Sequence, residues 1–137
     1  MEEAIRQGEL PTVAALAYLG DAVHSLDIRR RAVASGLCKS GALHNFSTGI
    51  VNAAAQAAML EAITPVLTED EQALCRRAAN SKHLQAPKHA SDSTYRRATA
   101  FEALLGALAY LGREERLATL LELAYTSAKG EKNDTED

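Results

Sequence analysis

Two carboxylates stand in stretches that offer them nothing to pair with. Across residues 11–25 the only acid or strong base is Asp21, and across residues 99–111 the only one is Glu102. Both stretches are otherwise apolar or built of small residues. A helix that is apolar on most faces is buried on most faces, and an ionised carboxylate is costly to bury without a partner. On helical spacing Asp21 lies beside Ala14, Ala17, Ser25 and Ile28, and Glu102 beside Ala98, Thr99 and Gly106; none is a cation. Compensation must come from another part of the chain, from solvent in a cleft, or from a divalent cation. Carboxylate oxygens supplemented by water suit Mg²⁺ or Mn²⁺. The spacing also admits plainer arrangements, in which each acid sits at an exposed helix edge or pairs with Arg29 or Arg96.

The second chemical feature is a basic island. The net charge is −3, yet residues 75–97 hold Arg76, Arg77, Lys82, Lys88, Arg96 and Arg97 against the single acid Asp92, a local balance of +5. Asn80, Ser81, His83, Gln85 and His89 are interspersed. Such donors contact phosphates and ribose hydroxyls, although on a helix end and loop they also make an ordinary solvated surface. Tyr95 is the one aromatic of the island. A stacking platform for single strands is disfavoured, and duplex RNA, gripped by backbone and shape, fits better. His24 and His44 could act as bases, but no serine or cysteine nucleophile accompanies them, so each is read as structural or RNA-facing.

The elements that must position these groups are helical. Alanine (27) and leucine (18) make up a third of the 137 residues, while valine and isoleucine together give 9; that balance favours helix over strand. The expected fold class is all-α, a single helical bundle. A first long helix opens near Pro11-Thr12 and stops near Gly36, with an apolar stripe through Val13, Leu16, Leu19, Val23 and Leu26. A second helical stretch starts at Leu43 and breaks near Gly49; an alanine-rich helix runs over residues 50–63 and is ended by Pro65. Thr68 caps a third helix reaching about Ala79. Residues 80–90 read as a loop long enough to suggest function. Ser91 or Ser93 opens the next helix, which passes Tyr95, Phe101, Leu105 and Leu108 to Gly112, and a last amphipathic helix uses Leu117, Leu120, Leu121 and Leu123. Residues 1–128 are expected to form one domain and residues 129–137 a disordered polar tail.

Several classes are set aside. No apolar run reaches the roughly 18 residues that span a bilayer, and the opening residues Met1-Glu2-Glu3-Ala4-Ile5-Arg6 lack the apolar core of a secretory signal. Cys38 and Cys75 alone build neither a disulfide framework nor a zinc site. A cytoplasmic protein without a membrane role is expected.

Leu16-Ala17-Tyr18-Leu19-Gly20-Asp21-Ala22-Val23 and Phe101-Glu102-Ala103-Leu104-Leu105-Gly106 resemble the acidic motifs of the ribonuclease III catalytic domain, above all its short bacterial form without a double-stranded-RNA-binding domain, mini-ribonuclease III. Leu43-His44 with Val51-Asn52-Ala53-Ala54-Ala55-Gln56-Ala57, then Arg77-Ala78-Ala79-Asn80-Ser81-Lys82, Pro87-Lys88 and Tyr95-Arg96-Arg97-Ala98-Thr99, resemble further blocks in the same order. The resemblance covers roughly residues 10–125. It implies an all-helical homodimer that cleaves double-stranded RNA with Mg²⁺, Mn²⁺ being a substitute, and leaves 5′-phosphate and 3′-hydroxyl ends. The implied substrate is the paired stalk of precursor 23S ribosomal RNA, trimmed at both ends, with a ribosomal protein as a candidate helper. Asp21 and Glu102 are the implied catalytic and metal-holding residues; Lys82, Lys88, Arg96, Arg97, Asn80, Ser81 and His44 are the candidates for RNA contact. Full-length ribonuclease III carries two more acids, at positions occupied here by Ala17 and Thr99, which puts a fully developed two-metal site in doubt. The competing expectation is a non-catalytic helical RNA-binding or ribosome-assembly factor, which would need the basic island but not the isolated acids.

Overall fold

In a computed structural model the chain is described over residues 10–81 and 91–136, with side chains described to residue 130. The described residues form six α-helices and no strand: α1 Val13–Ala34, α2 Ser40–Thr48, α3 Ala53–Ile63, α4 Glu69–Ala79, α5 Asp92–Tyr110 and α6 Glu114–Glu136, with a 3₁₀ turn Thr64–Val66 after α3. Lys82, Lys88 and most of the expected loop lie outside the described residues, as do the side chains of most of the expected tail.

Local chemistry accounts for the helix ends. The side chains of Thr12, Asn52, Thr68 and Ser91 each accept a hydrogen bond from the backbone N–H three residues on, at 2.9–3.1 Å, satisfying donors that a helix start leaves unpaired. Gly36 (φ 96°) and Gly112 (φ 71°) lie just past the ends of α1 and α5 in the left-handed region that glycine tolerates. Two boundaries differ from expectation. Helix α2 begins at Ser40 rather than Leu43, and α3 begins at Ala53 rather than residue 50, because Asn52 caps it and also donates to the Thr48 carbonyl at 2.9 Å.

The hub is α5, packed against α1, α3, α4 and α6. Its residues Ala98–Phe101 and Ala103–Leu108 are buried all round. Around it Leu16, Met59, Leu60, Ile63, Leu74 and Leu120 complete one continuous core. Helix α2 packs on α1 instead. A buried ion pair ties α4 to α6: Glu71, 1 % exposed, completes a capping box with Thr68 and also meets Arg116 at 2.7 and 3.0 Å. Burial opposes the charged form of Glu71, but Arg116 and the Thr68 N–H outweigh it and hold the carboxyl below its usual range.

The expected stripe on α1 holds for Leu16, which is buried, and for Val13 and Val23, which pack against the core, and is corrected elsewhere. The buried line is Leu16, Gly20, His24, Ile28 and Ala32, whereas Leu26 is exposed. The physical reason is the closeness of α1 to α5. A Cβ added at Gly20 would lie 1.6 Å from the Glu102 carbonyl oxygen, and one at Gly106 would lie 1.9 Å from that of Leu16. The two backbones touch, so the contact face is chosen by small size rather than apolarity.

Gly20→Ala and Gly106→Ala are therefore expected to lower stability by about 3 kcal/mol or more, since backbone cannot move aside as a side chain can. Gly41→Ala, in α2 with nothing within 4 Å of its added Cβ, should instead stabilise by about 0.5–1 kcal/mol. Urea unfolding of the three variants measures both signs; equal effects at Gly20 and Gly41 would refute the crossing.

Candidate active site

The same crossing brings the isolated acids together. Gly20, against the Glu102 backbone, immediately precedes Asp21. The Glu102 carboxyl is close enough to Asp21 and to Gln56 of α3 for both to act on its protonation. Asp21 is exposed and Glu102 half-buried. Burial pushes the Glu102 carboxyl up to about 8, and the hydrogen bond and charge of Asp21 push the same way, while Gln56 opposes them. At neutral pH Glu102 thus keeps a proton, which it donates to Asp21. The plainer readings of the acids hold in part: Asp21 does lie at an exposed edge. Arg96, however, pairs with Asp92 at 2.9 Å.

Beneath the pair lies a polar connection that apolar patterning does not reveal. His24, one turn after Asp21, is buried. Burial lowers its pKa to about 4 against the pull of Asp27 and Asp21, so the ring is neutral. Its Nδ1 lies 3.1 Å from the Gln56 amide nitrogen, and its ring stands edge-on to Phe101 at 5.2 Å between centroids. His24 is thus structural, one of the two roles expected for it. Gln56 was not singled out as a site residue; the available signal was one long polar side chain in the alanine-rich run 53–58.

The candidate RNA contacts are distributed unevenly. Arg97 is exposed near the start of α5, beside a cleft of about 360 Å³ lined by Leu60, Glu61, Thr64 and Pro65. Arg96 is engaged within the fold: besides Asp92, it donates to the carbonyls of Ala79 at 2.8 Å and Ser81 at 3.0 Å. Asn80 is exposed as the C-cap of α4. His44 is exposed on α2, where it joins Arg29, Ser40 and Ser47 around a cleft of about 430 Å³. Of the thiols, Cys38 is exposed, while Cys75 is buried and pushed by that burial up to about 12, which makes it inert.

The donor set suits a hard divalent cation. Two adjacent carboxylates that share a proton have oxygen ligands ready for a positive charge to replace it, and Mg²⁺ commonly binds through one or two carboxylates plus water and phosphate oxygens. Among the described residues no group of three or more His, Cys, Asp or Glu side chains could hold a metal. That agrees with Ala17 and Thr99 at the two positions read as lacking acids; the Thr99 hydroxyl donates to the Tyr95 carbonyl at 3.0 Å.

Comparison with known proteins supplies an independent line. Residues 14–113 match the family model of the ribonuclease III domain. The chain is 40 % identical over 130 residues to a mini-ribonuclease 3 from Brevibacillus brevis, covering 95 % of this chain and 97 % of that protein. It is 43 % identical over 109 residues to one from Symbiobacterium thermophilum, covering 80 % and 84 %. A crystal structure of a Fusobacterium nucleatum protein superposes with a TM-score of 0.73 at 32 % identity, covering 85 % of this chain and 90 % of that one.

The raised Glu102 pKa sets a pH dependence. Because the folded value, about 8, exceeds the ordinary 4.5, the proton favours the folded state. That contribution is full below pH 4.5 and is lost as the pH rises through 8. Glu102→Gln cannot ionise, so in chelator its unfolding midpoint should exceed that of the unmodified protein by a few degrees at pH 8, with the difference closing towards pH 4.5. A constant offset across this window would remove Glu102 as the responsible group.

Proposed function

The chain belongs to the ribonuclease III family, and from that premise we propose that Asp21 and Glu102 hold Mg²⁺, or Mn²⁺ in its place, for the hydrolysis of double-stranded RNA. The enzyme is a double-strand-specific endoribonuclease of the mini-ribonuclease type. The observation that carries the site assignment is the crossing that sets Gly20 against the Glu102 backbone and so makes Asp21 and Glu102 neighbours, each the only charged residue of its apolar stretch. A non-catalytic RNA-binding factor would have no use for that arrangement.

The chain's own groups set the chemistry. Asp21, on the exposed side, and Glu102, half-buried, supply oxygen ligands; Ala17 and Thr99 leave further coordination positions to water and substrate phosphate. When bound, the cation supplies Lewis acidity to the scissile phosphate and activates the attacking water. Glu102 must release its proton for the site to charge fully. Neutral His24 puts no competing positive charge behind the carboxylates. No side-chain nucleophile is required; in-line attack by water displaces the 3′ oxygen and leaves a 5′ phosphate.

RNA is held through its phosphates by Lys82, Lys88 and Arg97, with Asn80, Ser81 and His44 as lesser contacts. Arg96 adds its charge and fixes the chain at Ala79 and Ser81 from which this segment departs. The protein works as a homodimer, each copy cutting one strand. Support comes from Tyr18, Leu26 and Val33, exposed by 85 %, 54 % and 66 % on one face of α1. The paired stalk of precursor 23S ribosomal RNA in the cytoplasm is the proposed substrate, with a ribosomal protein as helper. No helix of the described residues is long and apolar enough to cross a membrane.

Asp21→Asn should leave folding and duplex binding intact while lowering cleavage of a labelled duplex in Mg²⁺ by at least about 100-fold; unchanged cleavage would overturn the assignment. Arg97→Glu should weaken duplex binding and lower the slope of log affinity against log salt by about one, whereas Arg113→Glu should do neither. Equal losses at both positions would sink the contact map. Arg116 is unsuitable as a control, because Glu71 depends on it.

A further inference from the structure

Gln56 occupies a place that core packing alone does not explain. It is 4 % exposed and lies in the first turns of α3, among alanines at 53–55, 57 and 58. Its backbone is fixed: its N–H donates to the Asn52 carbonyl at 2.9 Å, and the Asn52 side chain caps the helix through Ala55. A carboxamide nitrogen carries two N–H groups and can only donate. One is directed at Nδ1 of His24, 3.1 Å away. The Glu102 carboxyl is the amide's second neighbour, and the amide favours the charged form of that group.

The His24 ring cannot easily turn to release the amide. It stands edge-on to Phe101, the residue before Glu102, and is buried against α5. A circuit results: α5 steadies His24 of α1, His24 orients Gln56 of α3, and Gln56 returns to Glu102 of α5. With the amide nitrogen facing it, Nδ1 accepts and the ring proton sits on Nε2.

We propose that Gln56 is a positioning residue for the acidic pair, its amide oriented by His24 so that the Glu102 carboxylate is held facing Asp21. This rests on the nuclease reading above. The role suits a neutral donor: it favours the charged carboxylate without adding a cation that would neutralise the site or a third acid that would strengthen repulsion.

The test separates position from mere stability. Gln56→Met keeps the length and removes both N–H groups; His24→Phe keeps the ring against Phe101 and removes the acceptor. Each is compared with the unmodified protein for thermal unfolding, for Mn²⁺ binding without RNA by electron paramagnetic resonance, and for kcat and KM on a labelled duplex across Mg²⁺ concentrations. The expected result is a rise of about tenfold or more in the Mn²⁺ Kd of Gln56→Met, the range for lost support behind metal ligands. A smaller rise is expected for His24→Phe, with the KM for duplex at saturating Mg²⁺ unchanged in both. Should Gln56→Met fold poorly, His24→Phe carries the measurement. Wild-type Mn²⁺ affinity in a folded variant overturns the positioning role while leaving the nuclease intact. Absence of Mn²⁺ binding in the unmodified protein, with Asp21→Asn cleaving normally, overturns the assignment of the metal site to Asp21 and Glu102, and this inference with it.

Discussion

The backbone contact between α1 and α5 is the constraint from which the site follows. Gly20 and Gly106 remove the two Cβ atoms that would otherwise hold the helices apart. At that separation the residue after Gly20 and the residue one turn before Gly106 become neighbours. Both are acids. The close approach therefore does two things together: it buries a large area of α5, and it forces two carboxyl groups into a hydrogen bond that they would avoid if both were charged. A gain in packing is set against an electrostatic cost at the same place, a common pattern at catalytic sites.

Other parts of the fold hold this arrangement from outside. Arg31 meets Asp27 and Glu122 at 2.9 Å and lies 4.4 Å from the centre of the Tyr125 ring, joining α1 to α6. Glu71 and Arg116 join α4 to the same helix. Among the described residues the ion pairs join Arg31, Arg96 and Arg116 to acids other than Asp21 and Glu102. Charge at the site is thus negative or proton-balanced, the condition under which an added divalent ion has the most to contribute.

Much of this was legible in the residues because much of it is local. Capping chemistry placed Thr68 and offered Ser91 beside Ser93, since the acceptor and donor lie within one turn of each other. The isolation of Asp21 and Glu102 was readable as a shortage of partners. The contact face of α1 was legible in part: Leu16 is buried and Val13 and Val23 pack against the core, but Leu26 is exposed, backbone contact selected Gly20, and a hydrogen bond admitted His24. The roles of Gln56 and Arg116 depend on residues distant in the chain, so no spacing rule exposes their partners. Even there, a lone long amide among alanines and the Thr68–Glu71 capping box were signs that something specific was being satisfied.

The guanidinium of Arg96 has a consequence for how the protein can vary. It binds α5 to the carbonyls of Ala79 and Ser81, on the far side of residues 82–90 from its own helix. The two edges of that segment are stitched together independently of what runs between them. Residues could be added or removed between these edges at a modest entropic penalty, without disturbing the register of either helix. The length and composition of that segment could thus vary while the crossing of α1 and α5 stays as it is.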